Sequence, residues 1–384
     1  MSCSICRLPF VPCEMSANPL PAHFPPPGTM SNKEYSYFEV AFTYGRRIMG
    51  AVARYQYCSS NVFGALDSVI LQTLVWSIAD GSFFMMHTAC SNIFRAKLGC
   101  EANDLPACSK LSELEIVLGY PMIGADAGRF KDVQYESVGD RIDLKPFWHV
   151  GNSEGENVFD FKALKDAGMD WLLARPDVFP RFFKEIKPER QLEYSEDTAP
   201  KRTDLFTTMP MDLLHVLIEH LPPKSYVQLM ATCRFLRHHA LTTFQPHARR
   251  MVCDLGWAIA LSREVKELGP SMQSQLARAS DESPDGDWLL YLSHVHRTRS
   301  MRARRWIWSL ADEVKRVYEE KRPGSIFGDD YSTGVQDPTQ RKKERKGFRT
   351  MIRQMYSVGQ PMPGAPNMMS MMRQHRASGK AGNA

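Results

Sequence analysis

The stretch of residues 204–240 constrains the fold more than any other part of the chain. Its apolar residues recur at helical spacing, at Leu213, Leu214, Leu217, Ile218 and Leu221. On an α-helix these side chains form one apolar stripe. Pro210 suits the first turn of this helix, because a missing N–H costs nothing there, and Pro222 and Pro223 end it. Shorter apolar groups follow at 226–230 and 233–236, so the stretch predicts three short helices.

Three short helices cannot bury all their apolar faces by themselves, since units below roughly 40 residues rarely fold without a metal, a disulfide or a partner. The stretch resembles the F-box, the adaptor-binding module of Skp–cullin–F-box ubiquitin ligases. The matching positions are Pro210, Asp212, Leu213, Leu214, Ile218, Leu221, Pro222, Cys233, Arg234 and Leu236. Met209 stands where the F-box usually has Leu, and the chain lacks the Trp that often follows the third helix.

The resemblance implies a substrate-recruiting subunit that is not itself an enzyme. The F-box would bind a Skp-family adaptor and, through it, a cullin ligase. The residues that would make this contact are Pro210, Leu213, Leu214, Ile218, Leu221, Leu229, Cys233 and Leu236. The protein substrate is unknown, because no propeller or leucine-rich repeat array follows the F-box as a recognisable receptor. Two alternatives remain, a zinc-containing scaffold with no ligase role and a metal-dependent enzyme.

Two pairs of residues near the N-terminus have the spacing of metal ligands. Cys3 and Cys6 form a C-x-x-C pair, and His87 and Cys90 form an H-x-x-C pair at the start of a predicted helix. A three-residue step on a helix places both side chains on one face. Two such pairs make a tetrahedral set that suits zinc, and because four protein ligands leave no open position, the zinc would be structural.

Other interpretations of these pairs stay open. The further cysteines that could replace one of the four ligands are Cys13, Cys58, Cys100 and Cys108. Alternatively, Cys3 and Cys6 are disordered terminal residues, and His87 with Cys90 only caps and packs a helix. Many fungal F-box proteins resemble this chain in carrying an N-terminal C-x-x-C followed much later by an H-x-x-C, so the resemblance also implies structural zinc.

We predict an α+β fold class: a mixed N-terminal α+β module, then the all-α F-box and C-terminal helices, then a disordered tail. The predicted domains are 1–180 for the N-terminal module with the zinc site, 181–201 for a linker, 202–247 for the F-box, 248–322 for a C-terminal helical segment and 323–384 for a disordered basic tail.

Local patterns predict the elements within these domains. Strands are expected at 37–43 and 49–57, where β-branched and aromatic residues gather, and across 129–148 with a turn at Gly139 and Asp140. Helices are expected at 110–118, 159–173 and 299–320. The last of these carries an apolar Trp-rich stripe, which we expect to pack against the F-box or the N-terminal module.

Composition restricts the class of protein. With 43% apolar and 24% charged residues among 384, the chain is an ordinary globular protein. Nine thinly spread cysteines do not suggest a disulfide framework. The first residues lack the pattern of a secretory signal, and charged and amide residues interrupt the apolar stretch 62–85, so no membrane span is expected. We expect a cytoplasmic or nuclear protein.

The positive net charge belongs to the tail. Residues 341–384 carry ten Lys or Arg and one Glu, a net charge of +9. The whole chain has a net charge of +5, so residues 1–340 have a net charge of −4. The net charge therefore predicts no basic face for binding nucleic acid. The basic cluster at 341–346 is either a nuclear import signal or a solvated tail.

One catalytic pattern needs comment, since Gly151, Ser153 and Gly155 match the G-x-S-x-G motif of α/β-hydrolases. That motif needs a strand before it and a helix directly after it. Here a strand-like run follows, so we interpret the stretch as a turn.

Overall fold

The fold begins with a small antiparallel sheet. In the computed structural model, helix α1 (Asn32–Phe38) leads into β1 (Val40–Gly45), which lies between β2 (Met49–Arg54) and β3 (Phe83–His87). Ser31 begins α1 with a capping box: its side chain accepts a hydrogen bond from the Glu34 N–H, while the Glu34 carboxylate accepts one from the Ser31 N–H.

The structure describes residues 2–11, 24–45, 49–54, 83–99, 118, 128–150, 157–190, 205–267, 279–280, 282–283 and 285–321. The two predicted N-terminal strands are confirmed at 40–45 and 49–54, although residues 37 and 38 end α1 instead of starting a strand. The helix predicted at 110–118 lies outside the described residues, apart from Leu118. The same holds for the G-x-S-x-G stretch and the basic tail.

The segment 128–150 differs from its prediction. Instead of long strands, it contains 3-10 turns at Tyr135–Ser137 and Lys145–Phe147, and only the short strand β4 (Trp148–Val150), which pairs with β5 (Asn157–Phe159). The apolar residues that produced the alternating pattern are buried: Phe130, Val133, Tyr135, Ile142, Leu144 and Phe147. Turns place these side chains in the core, so the alternation of apolar and charged residues led to a wrong prediction of strands. The turn at Gly139 is present, with φ +59°.

Two helical elements occupy the predicted helix 159–173. Helix α3 (Phe161–Asp166) follows β5, and a 3-10 turn follows at Asp170–Leu173. Gly168 separates them with φ +70°, the left-handed conformation that commonly ends a helix. Earlier in the chain, α2 (Thr88–Lys97) follows β3, and its residues 89–94 are all buried.

The prolines divide the next region as the sequence predicts. Helix α4 (Leu205–Thr208) precedes the three F-box helices, α5 (Met211–Glu219), α6 (Pro223–Met230) and α7 (Arg234–Leu241). Pro210 directly precedes α5, and its carbonyl accepts a hydrogen bond from the Leu214 N–H at 3.1 Å. Pro222 and Pro223 begin α6 in the same way. The C-terminal helices are α8 (Gln245–Leu255), α9 (Ser262–Glu267), α10 (Trp288–Arg297) and α11 (Arg299–Lys321).

The described residues form two hydrophobic cores, and the chain crosses between them. The helical core contains the buried faces of the F-box helices, α8 and α10, together with Phe182. The N-terminal core contains the residues around the sheet, α2 and the 128–173 region, and also most of the buried face of α11, from Ala303 to Tyr318. The F-box region is therefore inserted between two parts of one core, and α11 packs mainly on the N-terminal module.

The first part of the predicted linker is packed. Phe182 is buried against the rings of Trp288 and Tyr291, with centroid distances of 4.7 and 5.7 Å. The Asp287 N–H donates to the Phe183 carbonyl at 2.9 Å. Phe182 therefore belongs to the helical core, with Ile186 packed partly against it, and residues 191–201 lie outside the described residues.

A buried ion pair lies where the two cores meet. Arg304 of α11 is fully buried and donates to both carboxylate oxygens of Glu264 on α9, at 2.7 and 2.9 Å. It also donates to the backbone carbonyls of Trp257 and Pro176, at 2.7 and 3.3 Å. The Arg304 guanidinium thus connects α11 to three other segments of the chain. In the described part of the chain, no helix has the length and apolar character that a membrane span requires.

Candidate metal centre and F-box surface

The N-terminal segment folds into a tight turn that presents Cys3 and Cys6. The Arg7 N–H donates to the Cys3 carbonyl and the Cys3 N–H donates to the Leu8 carbonyl, both at 2.9 Å. Arg7 has φ +61°, which lets the chain reverse within this short loop. The Ser4 N–H donates to the Met85 carbonyl at 2.8 Å, so the turn is held beside β3.

The second pair lies where β3 changes into α2. His87 is the last residue of β3 and Cys90 is in the first turn of α2, so both side chains face the N-terminal turn. The His87 N–H lies 3.4 Å from the Cys3 sulfur, and the Cys6 sulfur lies 3.3 Å from Nδ1 of His87. Two pairs that are far apart in sequence are thus brought together.

The four predicted ligands form one buried cluster, which we call the Cys/His cluster: Cys3, Cys6, His87 and Cys90. Their ligand atoms all lie within 4.8 Å of one another, and each residue is at most 1% exposed. A tetrahedral zinc site with bonds of about 2.0–2.3 Å keeps its ligand atoms roughly 3.5–3.8 Å apart. The cluster could therefore hold a metal ion after a small contraction.

A hydrogen bond orients the imidazole of this cluster. Nε2 of His87 lies 3.2 Å from the Pro9 carbonyl. The tautomer with a proton on Nε2 donates to that carbonyl and leaves the Nδ1 lone pair facing Cys6. Metal-binding histidines generally use the second ring nitrogen in this way, because the bond fixes both the tautomer and the ring orientation.

The thiols of the cluster do not share the same acidity. Burial raises the pKa of Cys6 and Cys90 well above the usual thiol range, and their interactions with Cys3 raise it further. Burial also acts to raise the pKa of Cys3, but hydrogen bonds from the other two thiols and the charge of His87 bring it well below the usual range. A divalent cation would favour the thiolate form of all three.

Aromatic rings close the cluster on the side of His87. The ring centroids of Phe10, Phe38 and Tyr37 lie 4.4, 4.9 and 5.7 Å from that of His87. With four protein ligands and an apolar wall, this arrangement suits a closed structural site.

The predicted adaptor-binding residues are divided between the core and the surface. Leu214, Ile218 and Leu236 are fully buried in the helical core. Leu221, Leu229 and Cys233 are half-buried, and Pro210 is exposed. Only Leu213 is a large apolar side chain that is mostly exposed, at 55%. The structure therefore places these eight residues in three environments: three are buried, three are half-buried and two are exposed.

Sequence reasoning missed two further exposed apolar residues near the start of this region. Val216 of α5 is 54% exposed, and Leu205 of α4 is 71% exposed. Leu213 and Val216 are three residues apart, so they share the outer face of α5. We call these three residues the exposed F-box face. The spacing of Leu213 and Val216 was visible in the sequence, but α5 is apolar on several sides, and only packing shows which side faces solvent.

Comparison with protein families supports the assignment of this region. The F-box domain family matches residues 206–242, a range that lies within the predicted 202–247. No curated protein and no solved structure shows significant similarity to the chain. An F-box domain indicates a role as a protein-interaction adaptor, typical of ubiquitin ligase subunits. The chain thus contains an F-box domain, inserted between two parts of the core that carries the Cys/His cluster.

Proposed function

We propose that this chain is a substrate-recruiting subunit of a Skp–cullin–F-box type ubiquitin ligase. The F-box domain at 206–242, with the exposed F-box face on its first helices, carries this proposal. F-box domains generally bind a Skp-type adaptor and, through it, a cullin. The catalytic chemistry would belong to other subunits, and this chain would contribute proximity and orientation of a protein substrate.

The residues of the F-box take two roles in this proposal. Leu213, Val216 and Leu205 contact the adaptor directly, because their side chains already face solvent. Leu214, Ile218 and Leu236 hold the helices in place from inside the core. The half-buried Leu221, Leu229 and Cys233 contribute at the edge of the contact.

The experiment is an adaptor pull-down with variants of the two faces of α5. The double change Leu213→Ala with Val216→Ala should remove adaptor binding without lowering the thermal midpoint, because neither side chain is in the core. Leu214→Ala should instead cost about 2–5 kcal/mol of stability.

Val178→Ala is the matched control, because Val178 is 48% exposed but lies outside the F-box. It should leave both adaptor binding and the thermal midpoint unchanged. Wild-type adaptor binding by the Leu213/Val216 double variant would contradict the proposal.

We also propose that Cys3, Cys6, His87 and Cys90 hold one structural zinc ion. Three thiolates and one imidazole are a ligand set that zinc favours, and the bond from His87 to Pro9 orients the imidazole as a metal ligand requires. The ion would tie the N-terminal turn to the junction of β3 and α2. Such a closed site adds folding energy and leaves no position for a reacting water, which disfavours a metal-dependent enzyme.

The second candidate function is a zinc-containing scaffold with no ligase role. The observation that favours it is that the core containing the Cys/His cluster and most of α11 includes no residue of the F-box helices. The same pull-down separates the two functions, since a scaffold would retain no adaptor.

A further inference from the structure

Two histidines connect the first F-box helix to α8, and we call His215 and His247 the histidine pair. Nδ1 of His215 on α5 lies 2.6 Å from Nε2 of His247 on α8, and the ring centroids are 4.9 Å apart. One turn further along α5, the Glu219 carboxylate accepts a hydrogen bond from Arg250 of α8 at 3.1 Å. These contacts hold α5, which carries most of the exposed F-box face, against α8.

The histidine pair lies over the helical core. The His215 ring packs edge-on against the ring of Phe244, with centroids 5.0 Å apart, and the His247 ring lies 6.1 Å from it. Phe244 is fully buried, and its carbonyl accepts a hydrogen bond from the Tyr226 hydroxyl of α6 at 3.1 Å. Both histidines are half-buried. Separating the two rings would therefore uncover Phe244 or draw α5 away from α8.

The hydrogen bond between the rings limits how many protons the pair can hold. A neutral imidazole has one donor and one acceptor nitrogen, whereas an imidazolium has two donors. The bond can form between two neutral rings, or between one imidazolium and one neutral ring. Two imidazolium rings leave no acceptor in the contact, and their positive charges would repel each other at this distance. The contact is thus lost when both rings are protonated.

The charges next to His247 do not remove this repulsion. Glu219 is its acidic neighbour, but that carboxylate is already bound to Arg250. Burial, followed by the charges of His215 and Arg250, lowers the pKa of His247, and Glu219 acts in the opposite direction. The ring of His247 therefore stays neutral at neutral pH and takes up its proton in mild acid.

Other titratable groups on the surrounding helices give little compensation. Carboxylates on α5 and α8 are exposed, so water and salt screen their charges. The histidines on α5 and α7 carry no negative charge in either protonation state. These groups are Asp212 and His220 on α5, Asp254 on α8 and His239 on α7.

We propose that the histidine pair is a proton-sensitive switch, in which a second proton loosens α5 from α8 and weakens adaptor binding at the exposed F-box face. Leu213 and Val216 lie two residues before and one residue after His215, so a shift of α5 moves both. Adaptor binding would in turn expel the second proton, because linkage is reciprocal. The effect on the adaptor rests on the proposed function, whereas the loosening of α5 does not.

Calorimetry with the full-length chain and a Skp-family adaptor tests the switch at about pH 7.5 and about pH 5.5. One excluded proton can weaken binding by at most about 10-fold per pH unit, so the wild-type affinity should fall about 3- to 10-fold. Circular dichroism at both pH values shows that the chain stays folded.

His247→Gln removes the second titrating ring. It should bind the adaptor normally at about pH 7.5 and lose most of the pH dependence, and the part that remains reports titration of the adaptor itself. His215→Asn repeats the test from the other helix if His247→Gln fails to fold. His220→Gln is the matched control, because His220 is exposed at the end of α5, and it should keep the wild-type pH dependence.

Hydrogen exchange tests the loosening of α5 without the adaptor. After correction for the intrinsic pH dependence of exchange, the amides of Met211–Glu219 should lose protection at about pH 5.5 in the wild type and in His220→Gln. They should keep it in His247→Gln, because a single imidazole can be protonated without a charged neighbour in contact.

Equal protection of α5 at both pH values would overturn the switch, since the rings would then separate without moving the helix. An equal fall in adaptor affinity in the wild type and in His247→Gln would overturn the link to adaptor binding. If the adaptor does not bind even at about pH 7.5, the proposed function fails, and hydrogen exchange alone then supports or overturns the loosening of α5.

Discussion

Cys90 is a single buried thiol that completes a cluster whose other cysteines lie more than eighty positions away. At the scale of the residue, the stability of the N-terminal module depends on whether such thiols bind a cation. Without one, burial disfavours the charged form of Cys6 and Cys90 by raising the pKa of both thiols. With a bound zinc ion the same burial becomes an advantage, because the metal neutralises the thiolates.

The first prediction concerns removal of one ligand. Purified wild-type protein should contain about one zinc per chain, and Cys90→Ser should lose the ion and lower the thermal midpoint, because metal binding in a closed site contributes folding free energy. A chelator should lower the midpoint of the wild type but not that of the variant. Metal analysis and calorimetry measure both effects.

Cys253→Ser is the matched control, since Cys253 is a half-buried cysteine of α8 outside the cluster. It should keep its zinc. Wild-type protein without zinc would refute this prediction.

Arg304 is the second residue whose replacement should greatly lower the free energy of unfolding. Its guanidinium is fully buried and bound to Glu264 and two backbone carbonyls. Arg304→Met should therefore lower the free energy of unfolding by about 3–5 kcal/mol, because Glu264 is left as an unpaired buried charge.

Adding Glu264→Gln to Arg304→Met should recover part of the loss, as denaturant unfolding would measure. Lys315→Met on the same helix should have little effect, because its partner Glu319 has a side chain that is 60% exposed and stays hydrated. An Arg304→Met variant as stable as the wild type would show that the junction contributes little.

At the scale of the element, helix α5 is joined to α8 by a pair of histidines. Nδ1 of His215 lies 2.6 Å from Nε2 of His247, which requires at least one of the two rings to be neutral. Burial lowers the pKa of His247, His215 and Arg250 lower it further, and Glu219 acts in the opposite direction. The contact between the two helices therefore favours the neutral pair.

The prediction that follows is a loss of stability in mild acid. A histidine whose folded pKa is below its unfolded value of about 6.5 takes up more protons when unfolded, so stability falls as the pH drops through that value toward the folded pKa. The thermal midpoint should fall between about pH 7.5 and about pH 5.5. His247→Gln should make this fall smaller.

His220→Gln provides the comparison, because His220 is exposed at the end of the same helix α5. It should leave the pH dependence as it is in the wild type. His294 and His296 also have lowered pKa values, chiefly through burial, so part of the acid sensitivity should remain in His247→Gln. A wild-type pH profile in His247→Gln would contradict this prediction, because other groups would then cause the acid sensitivity.

At the scale of the whole molecule, segments that are far apart in the sequence share one core. The described core residues between the first turn and residue 173 share one core with α11, and the F-box helices pack with α8 and α10 in a second core. A helix near the end of the described chain thus completes a module that begins at its N-terminus.

A pair of truncations tests this arrangement. Ending the chain after Arg322 should leave the thermal midpoint unchanged, because α11 stays complete and the tail is predicted to be disordered. Ending it after Thr298 should prevent stable folding, because the N-terminal core would lose buried residues such as Trp306, Leu310 and Val314. Dye binding and thermal unfolding measure the difference. Stable folding without α11 would contradict the shared core.

The sequence by itself determined the features that depend on neighbouring residues. Prolines at 210, 222 and 223 and the apolar spacing between them predicted the three F-box helices correctly, because helix ends and amphipathic spacing are local properties. The two short-spaced pairs, Cys3 with Cys6 and His87 with Cys90, were recognisable for the same reason, and the structure brings them together.

Only the tertiary structure decided which surfaces face each other. It shows that Leu214 points into the core while Leu213 and Val216 face solvent, that α11 belongs to the N-terminal core, and that Arg304 joins the two cores. It also replaces the strands expected at 129–148 with turns. These features arise from contacts between residues far apart in the chain, and such contacts leave no periodic pattern in the sequence.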